Sequence, residues 1–323
     1  MRLEETEVAI IGAGPSGLTA AYEVSKMGVK VVVLEEHGEI GLPCHCAGLL
    51  SINGLNRMGL PISGAYTLNM IRGARFFSPS NISFTIEWKK PIACVIDRHL
   101  FDLSLAERAH KRGSLIKLKS RVDRVRRDEN KWLLETSGGD MLRARLLIDA
   151  EGALPKIPRM VGIETHEAKR LLKGIQADLL VPDLNPDHVE VYFSRKIAPG
   201  LFAWVIPLGD EVARVGLACN MPDVRDRILD FIRKRFPQNK IKFLRYYSGS
   251  VITCGPIKRT YGDGLLIVGD SAGHTKPITG GGVTFGGICA RIAGRVAARA
   301  IIDNNTGENF LKSYEEEWRS GIG

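Results

Sequence analysis

Residues 8–35 read VAIIGAGPSGLTAAYEVSKMGVKVVVLE, and this stretch decides the fold. The apolar run Val8–Ile11 predicts a short buried parallel strand, and the run Val29–Leu34 predicts a second one. A helix is predicted between them over Leu18–Met27, and Gly28 ends it. A strand, a helix and a second strand in this order favour an α/β fold with a Rossmann-like unit at its start.

The glycines of this stretch stand in the spacing G-x-G-x-x-G, directly after the first strand. In this position Gly12 permits a tight turn, Gly14 lets a pyrophosphate approach the backbone, and Gly17 lets the helix lie close to the strand. The N-terminal N–H groups and the dipole of the helix favour a phosphate there. Glu35, at the end of the second strand, is placed to accept hydrogen bonds from ribose hydroxyls. We predict an ADP-ribose site; a glycine-rich turn in an ordinary α/β protein is the alternative.

The composition bounds the class of protein. The chain of 323 residues is long enough for two domains around a large core, and 44% hydrophobic with 25% charged residues is typical of a globular protein. A net charge of +9 favours anionic partners such as nucleic acid or lipid headgroups, and a solvated basic surface is the alternative. The basic residues are spread out and no nucleic-acid motif is present, so we expect no nucleic-acid partner.

Other features of the sequence concern location. No apolar run reaches the length of a transmembrane helix. The acidic start, MRLEETEVAII, runs directly into the first strand, which does not fit a signal peptide. Six cysteines without a C-x-x-C pair fit a reducing compartment. We therefore expect a cytoplasmic protein, either free or peripheral at the inner face of the membrane.

A glycine-rich loop, Glu36–Leu50, leaves the second strand and contains Cys44-His45-Cys46. Two thiols and one imidazole within three residues make a poor metal site without a matching ligand pair elsewhere, so no metal is predicted. The loop lies near the carboxyl edge of the predicted sheet, where α/β proteins bind ligands. A cysteine or histidine facing a ligand is one interpretation, and a small buried cysteine that packs as a hydrophobe is the other.

The middle of the chain is rich in predicted strands. Arg72–Trp88 contains β-rich runs broken by Ser-Pro-Ser-Asn, which predicts two antiparallel strands with a turn. A second set of strands suggests a mixed or antiparallel sheet that would form the floor of a substrate pocket. These strands are predicted over Ile175–Val181, Val189–Phe193, Leu201–Ile206 and Ala213–Ala218.

Further strands are predicted later in the chain. Lys131–Thr136 and Met141–Arg145 are predicted to form a hairpin around Gly138-Gly139, and Leu146–Gly152 is predicted as another strand that runs into a glycine. Leu265–Asp270 is predicted as a buried strand that ends in Gly-Asp. Pro277–Gly282 then brings three glycines to the start of a helix predicted over Val283–Ile302. Bare N–H groups at such a helix end favour an anion by about 0.3–2 kcal/mol.

Together these segments resemble flavoprotein reductases and hydroxylases of the glutathione-reductase-like class. The resemblance covers essentially the whole chain and is carried by GAGPSGLTAA (12–21), Glu35, VIDRHLFD (95–102), IDAEG (148–152) and LLIVGDSAGHTKPITGGG (265–282). Within that class the chain is most similar to the archaeal geranylgeranyl reductase family. That closer similarity is carried by G-x-P-x-x-C at 41–46, by FAWVIP at 202–207 with a later Gly216, and by PITGGG at 277–282.

The resemblance implies FAD as the cofactor. The ADP half would be held at the first glycine motif and Glu35, Arg98 would lie near the phosphate or ribityl chain, and Asp270 would accept a hydrogen bond from a ribityl or ribose hydroxyl. The glycines at 280–282 would lie against the pyrimidine edge of the flavin. The residues assigned to the cofactor in this way are Gly12, Ala13, Gly14, Pro15, Ser16, Gly17, Glu35, Glu36, Cys46, Ala47, Arg98, Val122, Gly269, Asp270, Pro277, Gly280, Gly281 and Gly282.

The same resemblance implies a substrate cavity and a source of protons. The cavity would be shaped by Phe202, Trp204, Pro207 and Gly216. Cys46 is expected near the flavin ring in preference to Cys44, and Cys46 or His45 is expected to supply or relay a proton. The sequence departs from the family pattern at Lys276, where an acid is usual, and at Glu151, where an aspartate is usual.

The resemblance also implies a division into domains. A discontinuous FAD-binding domain of the glutathione-reductase or p-hydroxybenzoate-hydroxylase type would comprise residues 1–60, 93–163 and 255–323. A second, substrate-binding β-sheet domain would comprise residues 61–92 and 164–254.

The implied function is an FAD-dependent oxidoreductase that saturates C=C double bonds in the geranylgeranyl chains of isoprenoid lipids of archaeal membranes. The expected electron donor is NAD(P)H or a ferredoxin-like protein, because the sequence has no second G-x-G-x-x-G. An FAD-dependent monooxygenase, which shares the fold and the Gly-Asp motif, is the first alternative. The second is a flavin-containing lipid-binding or electron-transfer protein without turnover alone, since relatives typically continue past the position of Gly323.

Overall fold

The computed structural model describes residues 3–181, 184–209, 211–237 and 241–322. The β-strands of these residues are β1 (Leu3–Ile11), β2 (Val31–Leu34), β3 (Leu49–Ser51), β4 (Thr67–Ile71), β5 (Gly73–Phe77), β6 (Ser83–Glu87), β7 (Ala93–Ile96), β8 (Leu115–Lys117), β9 (Val122–Asp128), β10 (Lys131–Thr136), β11 (Met141–Asp149), β12 (Leu172–Leu180), β13 (His188–Tyr192), β14 (Ala203–Pro207), β15 (Val212–Cys219), β16 (Lys242–Val251), β17 (Tyr261–Gly262) and β18 (Leu265–Ile267).

The helices complete the list of elements. The α-helices are α1 (Pro15–Lys26), α2 (Ile52–Arg57), α3 (Arg98–Lys111), α4 (Ile157–Met160), α5 (Val224–Arg235), α6 (Val283–Ile302) and α7 (Glu308–Ile322), and the short 3-10 helices are Ala168–Arg170 and Gly269–Ala272. Among the described residues, no helix combines the length and the apolar character that crossing a bilayer requires.

The chain divides into two compact units. The first consists of Met1–Leu42, His99–Ala168 and Cys254–Gly323, and the second of Pro43–Arg98 and Lys169–Thr253. The two domains predicted from the sequence alternate along the chain in the same order as these two units. The predicted boundaries between them fall at other residues. Those limits stay a prediction.

The first unit is built on a sheet whose central path has the strand order β17-β18-β11-β1-β2-β8. Strand β1 runs parallel to both β11 and β2, and β2 and β11 in turn pair in parallel with β8 and β18. The apolar runs at the centre of the sheet are fully buried, as expected for strands covered on both faces. The predicted α/β fold class, with a Rossmann-like unit and a second β-sheet, is confirmed.

Helices α1 and α6 of the first unit pack closely against each other. A Cβ atom on Gly294 of α6 would lie 2.7 Å from the carbonyl oxygen of Ala20 in α1, so only glycine permits this approach. An ion pair between Arg291 Nε and the buried Glu23 Oε1, 3.0 Å apart, adds to the contact. One turn from the start of α6, a Cβ on Gly286 would lie 2.8 Å from Ser16 Oγ. The packing therefore brings the N-terminal turns of the two helices together.

The second unit contains a seven-stranded sheet of order β16-β12-β15-β14-β13-β5-β6. Helix α5 covers one face through Ile228, Phe231 and Ile232, which join the buried side chains of β12, β14 and β15. Part of the other face is covered by a three-stranded sheet of order β3-β7-β4, through the buried contact of Ile71 and Val95 with the larger sheet. Trp204, which the sequence analysis assigns to a substrate cavity, packs against this contact.

Some sequence predictions of elements need correction. The segments predicted as a hairpin strand at 141–145 and a separate strand at 146–152 are one strand, β11. The strand predicted over Leu265–Asp270 ends at Ile267, because Gly269 has φ +65° and begins a 3-10 turn. Strand β16 was missed: its side chains are mostly exposed on both faces, as in an edge strand, and so lack an alternating apolar pattern.

Candidate functional site

The turn after β1 is fixed by two glycines. Gly12 has φ +99° and donates a hydrogen bond to the carbonyl of Leu34, 2.8 Å away. A Cβ on Gly12 would overlap the carbonyl oxygen of Ala150, and a Cβ on Gly17 would overlap the carbonyl oxygen of Gly12. Both glycines are therefore required by the close packing of the turn, β11 and helix α1, as the motif predicts.

Gly14 differs from its neighbours because no packing contact among the described residues requires it to be glycine. Its backbone is extended, at φ −75° and ψ 178°, and a Cβ there would meet no atom within 4 Å. No side chain caps the N-terminus of α1, where Pro15 occupies the first turn. Open space at uncapped helix N–H groups fits a pyrophosphate that approaches the backbone. The residues present therefore fit the phosphate part of a dinucleotide.

Glu35 is buried and held in one orientation. Its Oε2 accepts a hydrogen bond from the backbone N–H of Ala13 at 2.7 Å. Its Oε1 accepts one from the N–H of His37 at 2.9 Å and lies 2.6 Å from His37 Nδ1. Oε2 has a further lone pair, so it can also accept a hydrogen bond from a ribose hydroxyl. The sequence analysis found Glu35 but missed His37, which the G-x-G-x-x-G pattern does not mark.

The Gly-Asp segment reaches the same region of the first unit. A Cβ on Gly269 would lie 2.6 Å from Ser16 Oγ, so this glycine permits contact with the first glycine loop. A Cβ on Gly282 would lie 2.6 Å from Asp270 Oδ1, which places that half-buried carboxylate at the start of α6. The structure thus brings together Ser16, Gly269, Asp270 and Gly282, all of which the sequence analysis selected.

The start of α6 is open to an anion. Its N-cap residue, Gly282, makes no side-chain capping bond, its first turn contains no acidic residue, and Gly280 has φ +66°. Pro277 and Gly281 are exposed, and the Lys276 amide donates to the Gly281 carbonyl at 3.2 Å, which closes the loop. A helix N-terminus carries about half a positive charge, so this end can stabilise negative charge on a bound group.

Asp149, at the end of β11, is a buried acid that the sequence analysis did not select. It accepts a hydrogen bond from Ser271 Oγ, while its Oδ1 has no partner among the described residues. Burial raises the pKa of Asp149 well above its usual range, and the nearby charge of Glu151 raises it further. Glu151 itself accepts hydrogen bonds from the N–H groups of Lys156 and Ile157, each at 2.8 Å. Its carboxylate therefore anchors the start of α4.

Three other residues were assigned to the cofactor. Glu36 is exposed, and Val122 is buried in the apolar core of the first unit. Arg98 is half-buried and begins α3. The roles assigned to these three residues stay predictions.

In the second unit, the Cys44–Ala47 segment is tied to one face of the seven-stranded sheet. Gln176 Nε2 donates to the carbonyl of Cys46 at 3.0 Å, and Arg214 Nη1 donates to the carbonyl of Ala47 at 3.0 Å. A Cβ on Gly249 would lie 2.9 Å from His45 Cβ, so His45 packs closely against strand β16. The segment is therefore held by side chains that the sequence analysis did not select.

The Arg214 side chain belongs to a buried ion pair. Its Nε and Nη2 lie 2.7 and 2.9 Å from the two carboxylate oxygens of Asp178. Tyr247 donates its hydroxyl to Asp178 Oδ2 at 3.0 Å. Breaking one partner of such a pair typically costs about 3–5 kcal/mol, because the other charge stays buried. The pair therefore fixes the Arg214 guanidinium that holds the Cys44–Ala47 segment.

The thiols of this segment differ in surroundings. Burial raises the pKa of the Cys44 thiol. The half-buried Cys46 Sγ accepts a contact from the N–H of Gly48 at 3.4 Å, and His45 is exposed.

The predicted substrate residues lie on the same face as this segment, with one exception. The Trp204 ring lies over Gly216, where a Cβ would be only 2.6 Å from the ring. Phe202 contacts Trp204 with ring centroids 6.1 Å apart. Pro207 lies three residues after Trp204 in β14, so strand alternation directs it to the opposite face.

The aromatic rings continue across the sheet. Phe193 lies 5.9 Å from Phe202, Phe76 lies 6.4 Å from Phe193, and Phe84 lies 5.2 Å from Phe76, all between ring centroids. We call Trp204, Phe202, Phe193, Phe76 and Phe84 the aromatic row. The sequence analysis found only its first two members. The others become neighbours through strand pairing, in which Val191 lies opposite both Trp204 and Phe76.

Comparison with known proteins identifies relatives over nearly the whole chain. A family model described as an FAD binding domain matches residues 5–320. The chain is 33% identical to digeranylgeranylglycerophospholipid reductase 2 of Methanothermobacter thermautotrophicus, over 98% of this chain and 84% of that protein. It is also 33% identical to digeranylgeranylglycerophospholipid reductase of Methanocaldococcus jannaschii, over 97% of this chain and 82% of that protein.

A solved structure is similar as well. The crystal structure of a geranylgeranyl bacteriochlorophyll reductase-like protein from Thermoplasma acidophilum matches with a TM-score of 0.93 and 26% identity. The match covers 99% of this chain and 84% of that one.

The different surroundings of Gly14 and Gly17 generate a paired prediction. Gly14→Val should lower the unfolding free energy of the cofactor-free protein by only about 1 kcal/mol, because its Cβ meets no described atom within 4 Å and the remaining cost is that of a poorer helix N-cap. It should weaken FAD binding by about 100-fold or more, or about 2.7 kcal/mol, because the side chain fills the pyrophosphate space. Gly17→Val should destabilise the cofactor-free protein by about 1–3 kcal/mol or more through overpacking.

The measurements are thermal unfolding of the cofactor-free proteins and titration with FAD followed by flavin fluorescence. Wild-type protein should purify yellow. If Gly14→Val binds FAD as wild type does, the open space at Gly14 is not a phosphate site.

Proposed function

This chain belongs to the digeranylgeranylglycerophospholipid reductase family of FAD-binding proteins, and from that premise we propose that it saturates C=C double bonds of geranylgeranyl chains on an isoprenoid glycerophospholipid. The observation that carries the proposal is the aromatic row on the sheet of the second unit. A row of apolar rings suits a hydrocarbon chain better than a sugar or an amino acid.

The cofactor of the family is FAD. In the proposed site, the open space at Gly14 and the start of α1 would receive the pyrophosphate, and Glu35 would accept hydrogen bonds from the ribose hydroxyls. Asp270 would accept a hydrogen bond from a hydroxyl of the chain that leads to the flavin, and the N-terminus of α6 would stabilise negative charge on the reduced flavin. When bound, FAD supplies the two electrons that reduction of a double bond consumes.

The aromatic row has dimensions that suit the substrate. Register pairs link Gly216 to Trp204, Trp204 to Val191, Val191 to Phe76 and Phe76 to Phe84. These four steps between neighbouring strands are each about 4.8 Å, so the path spans about 19 Å. That distance is close to the length of an extended geranylgeranyl chain. The row can therefore contact most of one prenyl chain at once.

The chemistry of the double bond assigns a role to the rings near Gly216. An isolated prenyl double bond has no electron-withdrawing group, so its reduction needs two protons as well as two electrons. If a proton arrives first, positive charge develops at the tertiary carbon. The face of Trp204 or Phe202 would stabilise that charge by about 0.5–2 kcal/mol.

Cys46 is the proposed proton donor, with His45 as a relay. The carbonyls of Cys46 and Ala47 are held by Gln176 and Arg214, so the backbone on both sides of the thiol is fixed. Cys44, whose thiol has a pKa raised by burial, is proposed to be structural. NAD(P)H or a ferredoxin-like protein is proposed as the electron donor, and peripheral contact with a membrane is proposed as the route to the lipid.

Replacement of Cys46 tests its role. Cys46→Ala should keep FAD bound but slow alkene reduction by roughly 10²–10⁴-fold, the usual contribution of a general acid. Cys44→Ala is the matched control and should reduce the lipid at close to the wild-type rate. The rates are measured as lipid product per bound FAD by mass spectrometry. Unchanged turnover in Cys46→Ala would make Cys46 a structural residue.

The function itself is tested without oxygen. The bound FAD is reduced chemically, a geranylgeranyl glycerophospholipid is added, and flavin absorbance and lipid mass are followed together. We expect reoxidation of one FAD for each pair of hydrogen atoms gained by the lipid. The matched control is the fully saturated lipid, which should leave the flavin reduced.

Two other outcomes would contradict the proposal. The first is that the prenyl lipid does not reoxidise the flavin, whereas oxygen reoxidises it and an aromatic substrate is hydroxylated. That result would favour a monooxygenase. A flavin that neither acceptor reoxidises would favour a lipid-binding or electron-transfer protein.

A further inference from the structure

Strand β6, at one edge of the seven-stranded sheet, exposes a strip of large apolar side chains. Ile82, Phe84, Ile86 and Trp88 are 72%, 61%, 41% and 45% exposed. They stand at every second position, so strand alternation directs them to one face. Single exposed apolar residues are ordinary, but a contiguous group of this kind marks an interaction surface. We call these four residues the β6 strip.

The strip belongs to a well-formed hairpin rather than to an irregular loop. The Ser78 N–H donates to the carbonyl of Ile82 at 2.9 Å, and Ser78 Oγ accepts the Ile82 N–H at 3.1 Å. Asn81 takes the left-handed conformation, at φ 64°, that the turn requires. On the other side of the strip, the Trp88 N–H donates to the carbonyl of Arg72 at 3.0 Å. The side chains are thus presented by a backbone that is hydrogen-bonded at both ends.

Cationic groups stand at both ends of the β6 strip. Lys89 and Lys90 follow Trp88 directly and are exposed. The ion pairs at this end join Arg72 to Asp187 and His188 to Glu87, which leaves the two lysines without an ion-pair partner among the described residues.

At the other end, exposed Arg195 and Lys196 follow Phe193. The Phe193 N–H donates to the carbonyl of Phe77 in the same hairpin, 3.0 Å away.

We propose that the β6 strip is the surface through which this protein lies on an anionic lipid bilayer. Exposed aromatic and aliphatic side chains enter the boundary between headgroups and acyl chains, and the flanking lysines and arginines meet anionic headgroups. Trp88 is well suited to that boundary because its ring is apolar and its N–H is polar. A second copy of the chain fits less well at this edge, because the lysines would face like charges.

The position of the strip deepens the proposed function, on which this step rests. Phe84 belongs to both the β6 strip and the aromatic row, since its ring lies 5.2 Å from that of Phe76. A prenyl chain that leaves the bilayer at Phe84 therefore meets a continuous series of rings. The substrate would not have to enter water between the membrane and the sheet.

The test uses holoprotein and vesicles without any prenyl lipid, so that membrane contact is measured apart from reduction. Vesicles of phosphatidylglycerol and phosphatidylcholine in equal parts are compared with phosphatidylcholine alone by flotation. Wild type should bind the anionic vesicles and bind the neutral ones at least about tenfold more weakly. Lys89→Gln with Lys90→Gln should weaken binding to the anionic vesicles about tenfold or more. Ile82→Ser with Trp88→Ser should weaken it at least as much.

The matched control lies on β16, the opposite edge of the same sheet, where Leu244 and Tyr246 are also about half exposed. Leu244→Ser with Tyr246→Ser should bind the anionic vesicles as wild type does. All variants should reduce a prenyl lipid dissolved in detergent at the wild-type rate, because none of these residues lies in the aromatic row. Failure of that reaction in every protein, with vesicle binding intact, would count against the proposed function alone.

Trp88 also serves as a spectroscopic probe. Trp132 and Trp318 are buried and Trp204 is half-buried, so Trp88 is the most exposed of the four tryptophans. Its fluorescence should shift to shorter wavelength when anionic vesicles are added. Trp88→Phe should keep the binding and lose the shift.

Three results would overturn the proposal. The first is loss of binding in the β16 variant with binding retained in the β6 variants. The second is a fluorescence shift that persists in Trp88→Phe. The third is sedimentation that shows a dimer in wild type and a monomer in Ile82→Ser with Trp88→Ser, which would assign the strip to a second copy.

Discussion

The first unit depends on the close approach of helix α1 to the end of β1. A side chain at Gly12 or at Gly17 would overlap a backbone carbonyl oxygen. The helix can therefore approach the strand only because both positions are glycine. This approach aligns the uncapped start of α1 with the turn and leaves Gly14 beside open space. Helix α6 then packs on α1 through Gly294 and Gly286, and this packing brings the Gly-Asp segment to the same place. One steric constraint thus brings Gly14, the start of α1 and the Gly-Asp segment together in this unit.

The second unit depends on a polar constraint of a different kind. Asp178 and Arg214 form a buried ion pair within the seven-stranded sheet, and the same Arg214 holds the carbonyl of Ala47. The pair thereby joins the Cys44–Ala47 segment to the sheet that carries the aromatic row. Because the pair lies on strands, it holds the backbone beside Cys46 in a fixed position, which suits the proposed role of Cys46 as proton donor.

The sequence was informative where function requires a local pattern. The roles of Gly12 and Gly17, the position of Glu35 at the end of the second strand, and helix α6 over Val283–Ile302 follow from spacing and residue type within short segments. Pairing between distant strands carries no such pattern. Phe76, Phe193 and Phe84 become neighbours only through sheet register, and Asp178 meets Arg214 across 36 positions. His37 was missed because the G-x-G-x-x-G pattern does not mark it, and Asp149 because its partner, Ser271, lies 122 positions away in the chain.

The central claim is that the aromatic row receives a prenyl chain, and photolabelling tests it most directly. A geranylgeranyl glycerophospholipid with a diazirine on its chain is bound to the holoprotein, irradiated and located by peptide mass spectrometry. The account predicts labels in the peptides that contain Phe76, Phe193 and Phe202, and loss of those labels when unlabelled lipid competes. Labels confined to the exposed apolar residues of β16, or labels that competition does not remove, would contradict it.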